Sequence, residues 1–317
     1  MQLLRLADLN RQNQNTFNKG SIVTIGNFDG MHLGHQHILS TIKQLAKASN
    51  MLSCVICFEP QPKEFFMKQN APKRISPFRD KMLAFKQAGI DTVLSLNFNQ
   101  KLAELSAQDF IDEILLKGLN AKTVVIGDDF RFGKNREGDY TLLQQQSTKG
   151  NFTVQNTNPY LIDNQRVSSS HIRKLLTHGH FDEAQKFLGH PYALSGRIHH
   201  GQKNGRKLGF PTINIPIPVD VVVSGVYVVK VYLKGKVHFG VANIGIRPTF
   251  CGKLRLLETY IFNFDHDLYG QYVTIEFLKF IRGEKKFENF NALVAQIQSD
   301  KKTAEDWITN NITWIRS

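Results

Sequence analysis

The chain has 317 residues, 41% hydrophobic and 21% charged, and a formal net charge of +13. That length suggests about two domains of roughly 150 residues, and the composition excludes a wholly disordered chain. No apolar run reaches the ~18 residues that cross a bilayer, and the N-terminal MQLLRLADLNRQ lacks the apolar core of a secretory signal. Three cysteines make no paired framework, which fits a reducing compartment and a soluble, cytoplasmic protein.

Up to residue 188 the chain alternates strand and helix signals, the pattern of a parallel sheet flanked by helices. Ser21–Gly26 reads as a buried strand, Leu33–Ala48 as a helix and Leu52–Phe58 as a second strand. Ser76-Pro77 opens a helix that Gly89 closes. Thr92–Leu96 is a strand, Ser106 to Asp109 a capping-box start for a helix ending near Gly118, and Thr123–Gly127 and Phe152–Gln155 are strands. Two short helices, Ser169–Leu176 and Phe181–Leu188, complete this part.

After Gly189-His190-Pro191 short strands dominate: Ala193–His199, Thr212–Ile215, Gly225–Leu233, Val237–Asn243, Leu256–Phe264 and Tyr272–Phe280. Lys234-Gly235-Lys236 is a hairpin turn, and the spacing predicts a small closed barrel. Helices near Asn289–Gln298 and Thr303–Ile312 end the chain. The expected domains are therefore 1–188 and 189–317. The positive excess is +6 up to Leu188 and +7 after it. Charge spread in this way suits a phosphorylated ligand and makes nucleic acid the minority reading.

The first candidate site is Gly26-Asn27-Phe28-Asp29-Gly30-Met31-His32-Leu33-Gly34-His35, between the first strand and its helix. Ligands of open parallel sheets bind beyond the carboxyl ends of the strands. Gly26, Gly30 and Gly34 let backbone approach a ligand, and the helix start favours an anion that His32 and His35 can reach. A plain Gly-rich turn is the bland alternative; a zinc site lacks a Cys or acidic partner at useful spacing. His37 reads as an ordinary helix-surface histidine. This H-x-G-H segment resembles the nucleotidyltransferase superfamily, in which two histidines stabilise charge on ATP phosphates during attack at the α-phosphorus. Arg166-Val-Ser168-Ser169-Ser170-His-Ile-Arg173 adds hydroxyls and arginines at a later helix start, suited to the other end of a triphosphate.

Two further stretches, Phe58-Glu-Pro60-Gln-Pro62-Lys-Glu-Phe65-Phe66 and Gly127-Asp-Asp129-Phe130-Arg131-Phe132-Gly133, look like the flavin-side loops of bacterial bifunctional riboflavin kinase/FAD synthetases. Prolines and aromatics in the first could pack on an isoalloxazine ring, or could anchor the loop in the core. Asp129 follows a strand end, where ribose or metal contact are both open. Cys54 and Cys57 have redox spacing but lie inside a strand and read as buried structural residues.

The second candidate site has no P-loop. Gly201, Lys203, Arg206, Lys207, Gly209, Phe210 and Pro211 form a basic, flexible stretch able to wrap phosphates. Thr212 and Asn214, two apart on one strand, offer two oxygens to one Mg²⁺. Glu258 is a lone carboxylate in an apolar strand, functional or simply outward-facing. This region resembles riboflavin kinase: Pro211-Thr212-Ile213-Asn214 matches that family's P-T-x-N motif, and its general-base glutamate falls on Glu258. Supporting matches are Gly225-Val-Tyr227, Asn243 to Phe250, Asp267 to Gly270, and Ile281 to Phe287. Gln61 and Tyr260 stand where the family often has His, and Ser170 where it often has Thr.

The resemblance covers about residues 15 to 300. It implies a Rossmann-like nucleotidyltransferase domain with a parallel sheet, then a six-stranded antiparallel riboflavin kinase barrel with a terminal helix. The implied enzyme phosphorylates riboflavin to FMN with ATP and Mg²⁺, then joins FMN to AMP from a second ATP to make FAD, releasing pyrophosphate. Glu258 would be the kinase base. His32, His35, Ser169, Ser170 and Arg173 would hold the triphosphate, with Asn27, Phe28, Asp129 and Arg166 around the nucleotide. The partners would be riboflavin, FMN and ATP, without a membrane; a homo-oligomer stays open. The rivals are an enzyme with only its kinase active, and a flavin- or RNA-binding protein without turnover.

Overall fold

The computed structural model describes residues 1–12, 16–150, 152–200, 209–249, 252–264 and 268–312. The chain forms two compact units, one of residues Met1–Pro72 and Lys81–Ser168, the other of Lys73–Asp80 and Ser169–Ser317.

The first unit is built on a parallel sheet of β1 (Gln2–Arg5), β2 (Ser21–Ile25), β3 (Leu52–Phe58), β4 (Thr92–Leu96), β5 (Ala121–Gly127) and β6 (Thr153–Thr157). The spatial order is β1-β4-β3-β2-β5-β6, every pair parallel. The near-continuous apolar runs of β2 and β3 follow from burial on both faces. The order of strands reverses at β2, so the crevice for a ligand opens at its carboxyl end. The core runs from Val23, Ile56 and Val124 in the sheet to Phe110, Ile114 and Leu143 in its helices.

Among the elements of this unit that went unread in the sequence are β1, the helices Leu6–Gln12, Gln100–Ala103 and Tyr140–Gly150, and the helix Pro62–Met67 after β3. The helix expected after Ser106 starts as foreseen, Ser106 Oγ accepting from the Asp109 amide at 3.0 Å, but winds as a π-helix from Phe110 to Gly118. A small hairpin of β7 (Leu161–Ile162) and β8 (Gln165–Arg166) turns through Asp163 and Asn164, both at positive φ. Cys54 and Cys57 are free and fully buried. Burial pushes both thiols up, Cys57 to about 11, so neither is a redox thiolate.

The second unit contains β9 (Ala193–Arg197), β10 (Thr212–Ile217), β11 (Gly225–Leu233), β12 (Lys236–Thr249), β13 (Gly252–Ile261) and β14 (Tyr272–Arg282). They form an antiparallel sheet in the order β10-β13-β12-β11-β14-β9. The His199 amide donates to Asn214 O at 2.8 Å, joining the two ends of that order into a nearly closed barrel. The β11–β12 hairpin turns at Lys234 and Gly235, whose φ of 48° and 76° match the right-handed strand twist. At Gly240 a Cβ would fall 2.1 Å from Tyr260 O, so only glycine lets β12 approach β13 there.

The two helices expected at the chain end are one, Phe290–Asn311, capped by Asn289 Oδ1 accepting from the Ala292 amide. Ser299-Asp300-Lys301-Lys302 reads as a break, yet Asp300 is buried and holds the helix to the barrel through Arg282 at 2.7 Å. Ala304 and Ile308 pack on Val228 of β11 and Val241 of β12.

Candidate active sites

β2 ends at Ile25, and the turn that follows bends through Phe28, Gly30 and Met31, all at positive φ. Such a conformation is strained for Phe28 and Met31. It is offset by packing: the Phe28 ring is 2% exposed, 5.0 Å from the His35 ring and edge-on to Phe85 at 5.3 Å. Phe28 therefore props His35 from below. Gln36 ties the turn down by donating from Nε2 to Met31 O at 2.8 Å.

The helix Leu33–Ser49 starts at this turn with His32 as its N-cap, so the positive end of its dipole faces the same place. His32 Nδ1 accepts from the His35 amide at 3.3 Å, which puts the neutral ring's proton on Nε2, ready to donate to an anion. The two rings stack at 3.5 Å, 16° apart. Gly34 makes room: a Cβ there would press on His32 Nδ1 and Cε1 at 3.3 Å. Burial pulls His32 down to about 4. Burial first, then His32 and the Lys81 ammonium, hold His35 well below its usual value. The pair is thus neutral near pH 7. Asn27 Oδ1 and His35 Nδ1 are buried with no hydrogen-bond partner, polar atoms that a ligand can satisfy. Gly26 lies at the strand end, its amide donating to Ile56 O, and His37 is exposed.

Arg166 Nη2 lies 3.1 Å from Asp128 Oδ1 and 3.2 Å from Asp129 Oδ2, so the two expected nucleotide contacts, Asp129 and Arg166, are brought together. Ser169 and Ser170 open the helix Ser169–Thr177, which clusters with the second unit, and Arg173 donates from Nε to Lys73 O at 2.5 Å. At the end of β3, Phe58, Phe65 and Phe66 ring Phe98 at 5.5–5.8 Å. Phe58 is buried and Phe66 is 64% exposed, so the loop is both anchored in the core and open as an aromatic platform. Gln61 is buried with Nε2 unpartnered.

In the barrel, Asn214 of β10 pairs with Glu258 of β13, and Glu258 with Asn243 of β12. Residues directly opposite share a face, so amide, carboxylate and amide stand in one row. Thr212 lies on that face opposite Tyr260, and Tyr260 meets Phe210 edge-on at 5.5 Å and Phe262 at 5.7 Å. Through Tyr260 and Val241 it is also the face on which the helix Phe290–Asn311 packs. Asn214 Nδ2 donates to Thr212 O at 3.4 Å, which leaves Oδ1 as that side chain's acceptor. A hydroxyl and an amide oxygen beside a carboxylate are hard donors that fit Mg²⁺. Pro211 and Gly209 lead into β10, while Gly201, Lys203, Arg206 and Lys207 lie outside the described residues. Asn243 was missed as part of this row; an amide inside an apolar strand was the available signal.

One unit carries a neutral histidine pair at a parallel-sheet switch point, and the other a carboxylate row on a small barrel. Together they define a two-site class of phosphate-transferring enzyme. A family model for FAD synthetase matches residues 14–171 and one for riboflavin kinase matches residues 188–308. A Haemophilus influenzae protein called bifunctional riboflavin kinase/FMN adenylyltransferase is 43% identical over 96% of this chain and 98% of its own length. One of the same name from Escherichia coli K12 is 40% identical over 91% and 93%. A crystal structure described as a macrolide-efflux protein from Streptococcus pneumoniae is 28% identical, with a TM-score of 0.75 over 99% of this chain and 100% of that one. Among the described residues no helix is long and apolar enough to cross a membrane. This chain belongs to the bifunctional riboflavin kinase/FMN adenylyltransferase family.

Proposed function

We propose that the chain makes FMN and then FAD, with the kinase in residues 189–317 and the adenylyltransferase in residues 1–188. In the first reaction the ribityl 5′-oxygen of riboflavin attacks the γ-phosphorus of ATP, its proton passes to Glu258, and ADP leaves. Thr212 and Asn214 would hold Mg²⁺, which when bound neutralises phosphate charge. Phe210 and Tyr260 offer the flavin a flat apolar neighbour. In the second reaction an FMN phosphate oxygen attacks the α-phosphorus of ATP and pyrophosphate leaves. His32 and His35 donate to the phosphates as neutral imidazoles, with Ser169, Ser170 and Arg173 assigned to the far end of the triphosphate. Asn27, Asp129 and Arg166 would meet the nucleotide, and Phe66 the isoalloxazine ring.

The observation that carries this reading is the cross-strand row Asn214–Glu258–Asn243, which sets a carboxylate between two amides on one face of the barrel. Buried free cysteines support a reducing cytoplasm. Chromatography of products after incubation with riboflavin, ATP and Mg²⁺ tests it. FMN followed by FAD is expected. FMN alone would reduce the first unit to a scaffold, and neither product would overturn the reading.

A further inference from the structure

Lys81 lies on the helix Phe78–Gln87, is 1% exposed, and its Nζ has no hydrogen-bond partner. Burying an ammonium ion is costly unless an anion compensates it. Among the described residues no carboxylate pairs with Lys81. Its charge is felt by His35 and by Cys57. Cys57 stays a protonated thiol, since burial pushes it to about 11, and so is no counter-ion. His35 is the other neighbour, and its Nδ1 is itself buried and unpartnered. A buried cation with no hydrogen-bonded anion is therefore held beside the H-x-G-H turn, on which its helix packs through Phe85, edge-on to Phe28 at 5.3 Å, and the start of the helix Leu33–Ser49 adds positive potential of its own. In a low-dielectric site such a charge acts strongly on whatever anion arrives.

We propose that Lys81 is a positioning residue of the adenylyl-transfer site: a fixed, buried cation that acts through His35 and stabilises the charge that gathers on the polyphosphate. The inference rests on the adenylyl-transfer reading above. No proton leaves Lys81 and no bond forms to it; the anion that compensates it is the ATP polyphosphate.

The test compares full-length wild type with Lys81→Met, which keeps length and removes charge, and Lys81→Arg, which keeps charge. Lys81→Met is expected to lower kcat for FMN adenylylation by about 10²-fold, with KM for FMN and the riboflavin kinase rate unchanged. The His35 imidazole, followed by NMR pH titration, is expected to titrate at higher pH in Lys81→Met and near its wild-type position in Lys81→Arg. An unchanged adenylylation rate in Lys81→Met would overturn the inference, as would equal losses in both variants with His35 unmoved, which would show that shape alone matters. Should Lys81→Met not fold, Lys81→Gln removes the same charge and is read in the same way. Wild-type protein that makes FMN and no FAD would instead strike the underlying reading.

Discussion

His32 serves as the N-cap of its helix, Nδ1 accepting from the His35 amide, and this role needs the neutral ring. Its folded-state value of about 4 lies below the ordinary 6.5, so as pH falls the unfolded chain takes up the proton first. Stability from this group is complete above about pH 6.5 and drains away as the pH drops toward 4, roughly 3 kcal/mol in all. His32→Asn keeps a good cap and removes the titration. Hydrogen-exchange protection of the β2 and β5 amides should then depend less on pH across that window, while FMN adenylylation falls about 10²-fold. Glu258→Gln keeps the shape of the barrel row and removes the base. It should lower riboflavin phosphorylation by about 10²–10⁴-fold while supplied FMN is still adenylylated; an unchanged kinase rate would place the base elsewhere. The histidines and Glu258 were legible because each breaks a local pattern, a glycine-spaced pair at a helix start and a charge in an apolar strand. Lys81 was not. A lysine on an amphipathic helix reads as surface, and only tertiary packing buries it. Arg255 was hidden in the same way: it is 3% exposed, and its guanidinium donates to the carbonyls of Val219, Val221 and Val223.

Elements were legible where their own residues determine them. β3, β4 and β11 run as the alternation and apolar runs imply, and the Lys234-Gly235 turn fixes the β11–β12 register. The C-terminal helix shows the limit. Ser299 to Lys302 has the polarity of a loop, but the Arg282 guanidinium meets Asp300 through Nε and Nη2, and Gln296 Nε2 donates to the same carboxylate at 3.0 Å. These contacts come from β14 and from the helix itself, so no local window contains them. Because Asp300 is 4% exposed, Asp300→Ala strands a partly buried guanidinium. It should cost about 3 kcal/mol of barrel stability, read as a lower urea midpoint followed by tryptophan fluorescence. Asp300→Asn, which keeps one acceptor oxygen without the charge, should cost less. Equal losses would mean that the charge is the whole of the interaction, and no loss in Asp300→Asn that the charge contributes nothing.

The chain of the whole molecule leaves its first unit at Lys73 and returns to it at Lys81. Between them, the Arg74 amide donates to Asp220 O at 2.7 Å, Val222 donates back to Arg74 O at 2.8 Å, and Arg74 Nε meets Asp220 Oδ2 at 2.9 Å. Tyr192 donates to Ile75 O at 3.0 Å, and Asp80 accepts from the Ser195 amide at 3.2 Å. Eight residues distant in sequence are thus part of the barrel unit. Nothing in their composition says so, because the pairing is a single bridge and a few side-chain bonds with no periodic signature. A chain of residues 169–317, the rest of this unit, lacks all of these contacts. The buried Val222 amide and Tyr192 hydroxyl, both donors, and the Asp220 carboxylate lose their partners, a cost of roughly 2–5 kcal/mol against the same barrel in the full chain. The segment makes none of these contacts with β10 or β13, which carry Thr212, Asn214 and Glu258, so the kinase row should survive the loss. The expectation is a barrel with a lower urea midpoint, an unprotected Val222 amide in hydrogen exchange, and a riboflavin kinase kcat near that of the full chain. A peptide of residues 73–80 added in trans should raise the midpoint again. Full stability without the peptide would show that the segment rests on the barrel without supporting it, whereas loss of kcat alongside stability would tie the segment to the kinase face itself.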